Sequence, residues 1–304
     1  MSLAQTSGAD TTAIVATARQ LSSDSIRGRG PWSTDATVAA RMLANRLTRL
    51  GARPAIGSSL LVPFTSPPRL RDTVYNVIAV LPNRAGNTDG QLVGLTAHLD
   101  HLGIGPPDAR GDSIYNGFLD DAMGIGMVLD VARRYAQSPG ERPLLVMFFN
   151  LEEQGLLGSS ALLESPPGES LAERIGLLIG VDAGAPAGEA LEWQLMGGLP
   201  THAGARIADS LARARGWTTT STPPRGINDV YTFSQRGVPI LFPIPGKTWR
   251  GYTEAERAEA MRKFDHYHQP SDEYRADFPL TGTAFFADWL FEIVKQASNA
   301  PRLR

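Results

Sequence analysis

The sequence predicts an α/β protein: a three-layer sandwich with a mixed, mostly parallel central sheet and helices on both faces. Three observations point there. Nearly uncharged apolar runs recur at 92–99, 144–149, 175–181 and 238–244, the pattern of strands buried on both sides. Segments with helical periodicity alternate with them, which implies parallel strands joined by crossover helices. The chain has 304 residues, 42% hydrophobic and 20% charged, enough apolar side chain for a large core.

In chain order, residues 10–21 read as a helix with Ile14, Ala18 and Leu21 on one stripe. Gly28-Arg29-Gly30-Pro31 is a loop. Residues 35–50 form a second helix through Ala39, Met42, Leu43, Leu47 and Leu50, with Gly51 as its C-cap. Leu60–Phe64, Val74–Leu81 and Leu92–Leu99 are strands, rich in β-branched or aromatic residues. Asp120–Ala136 is helical, with Ile125, Val128, Leu129 and Ala132 facing inward. Leu144–Phe149 is a strand, Leu157–Leu163 a short helix and Ile175–Val181 another strand. A helix over 201–215 and a strand over Val238–Ile244 follow. The closing helix carries Phe286, Trp289, Leu290 and Ile293 at helical spacing. There is no internal repeat or low-complexity tract. Residues 1–72 read as an N-terminal helical extension packed on a domain spanning 73–304.

Composition narrows the chemistry. Cysteine is absent, which excludes thiol nucleophiles, iron–sulfur clusters and disulfide scaffolds. Five histidines remain: His98, His101, His202, His266 and His268. The net charge of −2 argues against a nucleic-acid partner, which selects a basic face. No apolar run approaches the roughly 18 residues of a membrane span, so no membrane partner is expected. Met1–Gln5 lacks the basic and apolar regions of a leader. A cytoplasmic location is expected unless a leader was trimmed, in which case the protein is periplasmic or secreted. The oligomeric state is left open.

In open parallel sheets, ligands bind beyond the carboxyl ends of the strands. His98-Leu99-Asp100-His101, Asn150-Leu151-Glu152-Glu153 and Asp182 follow three of the apolar runs. Asp120-Asp121 opens a helix, where it could serve as an N-cap or as a metal ligand. Near the C-terminus sits Asp265-His266-Tyr267-His268. Imidazole and carboxylate donors without thiolate suit zinc, cobalt or manganese.

The order His-x-Asp, Asp-Asp at a helix start, Glu-Glu-x-Gly-Leu-x-Gly-Ser, a later Asp and Tyr-His-x-x-x-Asp resembles the co-catalytic dizinc aminopeptidases. These are Zn-dependent exopeptidases of the phosphorylase/hydrolase-like fold, related to glutamate carboxypeptidases and glutaminyl cyclases. The resemblance covers about residues 73–298, and more loosely the Leu21-Ser22-Ser23-Asp24…Gly28-Arg29-Gly30 entry. It implies that 73–304 is the catalytic domain and that its substrate is a peptide with a free N-terminus. It further implies two Zn2+ ions, replaceable by Co2+ or Mn2+. His98, Asp120 and Asp182 would hold one, and Asp120, Glu153 and His268 the other. Asp100 would orient His98, Glu152 would act as general base, and Tyr267 would polarise the scissile carbonyl. The relatives also imply a cis peptide bond at Asp120–Asp121.

Two departures stand out. Asp121 replaces a frequent Asn, and Gly180-Val181-Asp182-Ala183-Gly184 lacks the usual wording around that ligand. Residues 245–262 read as an insertion over the site. His101 and His202 read as structural or surface residues, and His266 competes with His268. Trp193, Tyr231, Phe233 and Trp249 fit either a substrate pocket or the core. A carboxypeptidase or glutaminyl cyclase on the same scaffold is the main alternative. A serine esterase of the GDSL type, using Ser113 and His268, is remote because a polar loop precedes Ser113. A metal-free binding protein is disfavoured because no ligand is missing. A relative with an inserted lid domain is disfavoured because the span from Asp182 to His268 is already committed to strands and helices.

Overall fold

The computed structural model describes residues 8–182 and 184–303. The first seven residues, where the sequence was read for a leader, lie outside the described residues.

Helix α1 (Thr11–Leu21) and helix α2 (Thr34–Arg49) are capped by Asp10 and Ser33, whose side chains accept from Ala13 and Ala36 N–H groups. Strands β1 (Arg53–Pro54), β2 (Leu61–Ser66), β3 (Arg69–Leu81) and β4 (Leu92–His98) follow, then the small pair β5 (Gly103–Ile104) and β6 (Ile114–Tyr115). Helix α3 spans Met123–Gln137, β7 Leu144–Phe149, α4 Leu157–Leu163, α5 Pro166–Arg174 and β8 Ile175–Gly180. The chain continues through β9 (Glu192–Met196), α6 (Ala203–Ala214), β10 (Thr218–Thr222), α7 (Val230–Ser234) and β11 (Ile240–Pro245). Helices α8 (Glu254–Phe264) and α9 (Gly282–Asn299) end it.

The main sheet runs β1-β3-β7-β4-β8-β11-β9-β10, with β2 on β3. Its centre is parallel: β7 with β4, β4 with β8, β8 with β11. On one side β3 joins β7 antiparallel, and on the other β9 joins β11 antiparallel. The parallel character expected from the sequence is therefore concentrated in the four central strands. These are buried from end to end except at the last residues of β11, which explains their uniform apolar composition. Helices α1, α2, α3, α6 and α9 contribute to the larger core, and α4, α5 and α7 to the smaller one. The boundary expected at residue 72 falls inside β3, whose outer partner β2 contributes to the same sheet.

One local expectation fails where it matters. The helix predicted from Asp120 begins at Met123 instead. Asp120 (φ −115°, ψ 97°) and Asp121 (φ −119°, ψ 35°) are non-helical, the bond between them is cis, and neither side chain caps α3. The pair forms a turn that presents two carboxylates.

Candidate active site

The parallel centre brings the predicted residues to one edge. β4 ends at His98, the turn after β7 carries Glu152 and Glu153, and Asp182 lies just past β8. Adjacent strand ends are tied together, Leu99 N–H to the Phe149 carbonyl (2.7 Å) and Val181 N–H to the Thr96 carbonyl (2.8 Å). The Asp120 turn sits against them because Gly124 leaves room. A Cβ there would lie 2.0 Å from Asp121 Oδ1 and 2.5 Å from the Val181 carbonyl.

Asp120 is central. His98 Nε2 lies 3.0 Å from Asp120 Oδ1 and 3.4 Å from Asp182 Oδ1. His268 Nε2 lies 3.3 Å from Asp120 Oδ2 and 3.0 Å from Glu153 Oε2. The two oxygens of one carboxylate thus face two separate histidine–carboxylate groups. Donor atoms of His98, Asp120 and Glu153 lie within 4.8 Å of one another, as do those of His98, Asp121 and Asp182. His268 is held in this cluster with φ +55°, an uncommon conformation for a non-glycine residue.

The donor chemistry fits a divalent cation. His98 Nδ1 faces the Asp100 carbonyl at 3.1 Å. A carbonyl can only accept, so Nδ1 carries a proton. Nε2 faces two carboxylate oxygens, which in the protein alone, against burial, favour a second proton on the ring and which equally suit a divalent cation taking that proton's place. Among the described residues, Asp120 Oδ2, His268 Nε2 and Asp121 Oδ1 are buried atoms with no partner in hydrogen-bond geometry. In the protein alone, burial pushes Glu152 up to about 9, opposed by His98 and reinforced by Asp229, Asp182 and Asp100. Burial also raises Asp121 and Asp182, with neighbouring carboxylates adding to it. Divalent charge would relieve that crowding.

Asp100 meets His98 through its main chain. Its carboxylate lies 3.9 Å from His98 Nδ1, and the bond to the imidazole comes from its main-chain carbonyl. The carboxylate instead accepts the Glu152 N–H at 3.1 Å, fixing the turn that carries the glutamates. Tyr267 is 69% exposed and stacks on His268, centroids 3.8 Å apart.

Of the two readings left open for His101, structural or surface, its burial excludes the surface one. His101 is fully buried, its Nδ1 lies 2.7 Å from Glu153 Oε1, and its Nε2 has no hydrogen-bond partner among the described residues. Its position three residues after His98, on the same strand-end turn, was the available signal. His202 caps α6, accepting from Ala205 N–H. His266 is occupied with Ser271 (2.7 Å), which leaves His268 to the cluster. Ser113 precedes the two-residue β6, whereas His268 Nε2 faces carboxylates, so the esterase pairing has no support.

A cleft of about 850 Å³ opens from Asp120 and Asp182. The 245–262 segment provides a wall of it through Lys247, Trp249, Met261 and Arg262. Trp249 is the one of the four questioned aromatics that lines this cleft. Trp193 packs on Trp289 and Phe286, at 4.7 and 4.8 Å, and Phe233 on Phe149, both in the core.

The fold is a mixed-sheet α/β sandwich whose central strand ends carry a cluster of histidine and carboxylate donors able to hold a metal ion. Comparison with known proteins sharpens this. The chain belongs to Peptidase family M28, whose model matches residues 76–291. It is 34% identical over 102 residues to a vacuolar membrane protease of Eremothecium gossypii, covering 34% of this chain and 9% of that protein. It is 33% identical over 91 residues to a probable zinc metalloprotease of Pyrenophora teres f. teres, covering 30% of this chain and 19% of that one. The chain therefore spans less than a fifth of the length of these relatives. Among solved structures, a zinc aminopeptidase from Bacillus subtilis superposes with a TM-score of 0.68 at 15% identity, 96% of each chain being covered. A glutaminyl cyclase from Porphyromonas gingivalis gives 0.64 at 18% identity, over 95% of this chain and 97% of the other. These likenesses establish the fold, which an aminopeptidase and a cyclase share. Among the described residues, no helix is long and apolar enough to cross a membrane.

Proposed function

We propose that this chain is a dizinc aminopeptidase that hydrolyses the first peptide bond of substrates with a free N-terminus. The observation that carries this reading is Asp120, whose two carboxylate oxygens face His98 with Asp182 on one side and His268 with Glu153 on the other. His98, Asp120 and Asp182 would hold one zinc, and Asp120, Glu153 and His268 the second. Cobalt or manganese suits the same donors. When bound, the ions supply Lewis acidity, making water more acidic and polarising the peptide carbonyl.

The chain's own groups do the rest. The Glu152 carboxylate accepts the proton of the attacking water and delivers it to the leaving amine nitrogen. The Tyr267 hydroxyl, on a ring stacked over His268, donates to the carbonyl oxygen as charge develops there. Asp100 holds the Glu152 N–H and, through its carbonyl, the ring proton of His98. Trp249, Met261 and Phe264 give the cleft an apolar wall, suited to an uncharged N-terminal side chain.

Arg29, the buried guanidinium near the cluster, is fully engaged with main-chain carbonyls. Lys247 and Arg262 line the cleft and are exposed. A panel of aminoacyl-p-nitroanilides, N-acetylated peptides and N-terminal-Gln peptides tests the reading. Free-amine substrates should be cleaved, chelator should abolish cleavage, and zinc should restore it. Cleavage of acetylated peptides from the C-terminus would replace it with a carboxypeptidase, and ammonia release from Gln peptides with a cyclase.

A further inference from the structure

We propose that Arg29 and Asp272 are positioning residues that clamp the Asp120 turn into the shape ligation requires. The inference rests on the zinc-centre reading above.

Arg29 is wholly buried and all its hydrogen bonds go to main-chain carbonyls. Nη1 donates to Leu21 (2.6 Å) and Asn116 (2.8 Å), Nη2 to Gly117 (2.9 Å) and Asp120 (3.2 Å), and Nε to Leu99 (2.9 Å). From the opposite direction, the Asp272 carboxylate accepts the N–H groups of Leu119 (3.0 and 3.2 Å) and Asp120 (3.2 Å). Its carbonyl accepts that of Phe118 (2.9 Å). Carbonyls of 116, 117 and 120 therefore go to one charged group, and N–H groups of 118, 119 and 120 to one residue on the other side.

The turn needs this support because Phe118-Leu119-Asp120-Asp121 reads locally as the start of a helix, yet it is held open. A flat fork with five N–H donors can satisfy carbonyls from three chain segments at once, which a lysine ammonium cannot do from one point. Arg29 reaches its place because Gly28 lets the backbone pass close to β5 and β6. A Cβ at Gly28 would meet the Tyr115 carbonyl at 2.3 Å. Arg29 also lies outside residues 76–291, so the N-terminal segment contributes to the centre through main-chain positioning. Neither residue uses its side chain on a ligand side chain. Each acts through the backbone of Asp120.

The test uses the full chain, stripped of metal by chelator and titrated with zinc against a chromophoric competitor. Asp272→Asn keeps the shape but turns a donor toward a main-chain N–H. Arg29→Lys keeps the charge but loses the fork. Asp130→Asn is the control, since Asp130 is similarly buried and paired with Arg133 and Arg134 on α3. The two clamp variants should bind zinc about ten- to a hundredfold more weakly, with kcat reduced and KM little changed. The control should lose thermal stability while binding zinc as the wild type does. If Arg29→Lys does not fold, Asp272→Asn decides alone. Asp272→Asn with wild-type zinc affinity and kcat, whatever its melting temperature, overturns the proposal. Zinc affinity is read without substrate. A chain that binds zinc but cleaves no peptide would refute the aminopeptidase reading and leave the clamp standing.

Discussion

Replacing Glu152 with Gln separates metal binding from proton transfer. The main chain at Glu152 is fixed without its side chain: its N–H goes to Asp100 Oδ1, and its carbonyl takes the Gly155 and Leu156 N–H groups, both at 2.9 Å. The neighbouring Glu153 should therefore stay on its histidines. Burial already favours the uncharged form of Glu152 in the protein alone, so a neutral amide of the same shape fits the site. Zinc content and melting temperature should be close to wild type. The amide cannot accept a proton, and a positioned general base contributes roughly 10²- to 10⁴-fold to rate, or about 3 to 5 kcal/mol of barrier. Release of p-nitroaniline from a leucyl anilide, followed with metal content measured on the same sample, reads both quantities. Turnover within tenfold of wild type, at equal zinc content, would refute the assigned role.

Other substitutions probe the surroundings. Glu153→Ala should weaken one metal site and spare the other, visible as a biphasic zinc titration. His101→Gln removes the imidazole proton donor from Glu153 and should weaken the same site about tenfold or more, whereas a purely structural histidine would change only the melting temperature. Trp289→Ala empties the centre of the Trp193–Trp217–Trp289 cluster, whose rings lie 4.7 to 5.6 Å apart. It should cost about 3 to 5 kcal/mol in denaturant unfolding and leave zinc affinity unchanged.

Elements that bury a strong apolar pattern could be read from the sequence, and those that do not could not. Strand β7 and helix α4 have the bounds their residues suggested, and β4 ends within one residue of expectation. Strand β10, Thr-Thr-Thr-Ser-Thr, has no apolar residue and lies at the sheet edge. Helix α8 buries only Ala260, and α5 opens with two prolines, so neither shows a clear stripe. At the site, His98 ends a buried strand and Glu152, Glu153 and Asp182 follow buried strands, where ligands are sought first. The turn at Asp120 leaves no local signal, because the groups that hold it open come from segments 91 and 152 residues away. For the same reason Arg29 read as a loop residue: its partners are carbonyls of distant segments, which leave no trace in local pattern.

Counting metal ions against activity tests whether a pair of them shares Asp120. Chelator-stripped protein should be inactive and should regain full peptidase activity as zinc is added up to two equivalents, with elemental analysis giving two ions per chain. Asp120→Asn should impair both sites together. Full activity in the stripped protein, or saturation of both binding and activity at a single equivalent, would contradict the account.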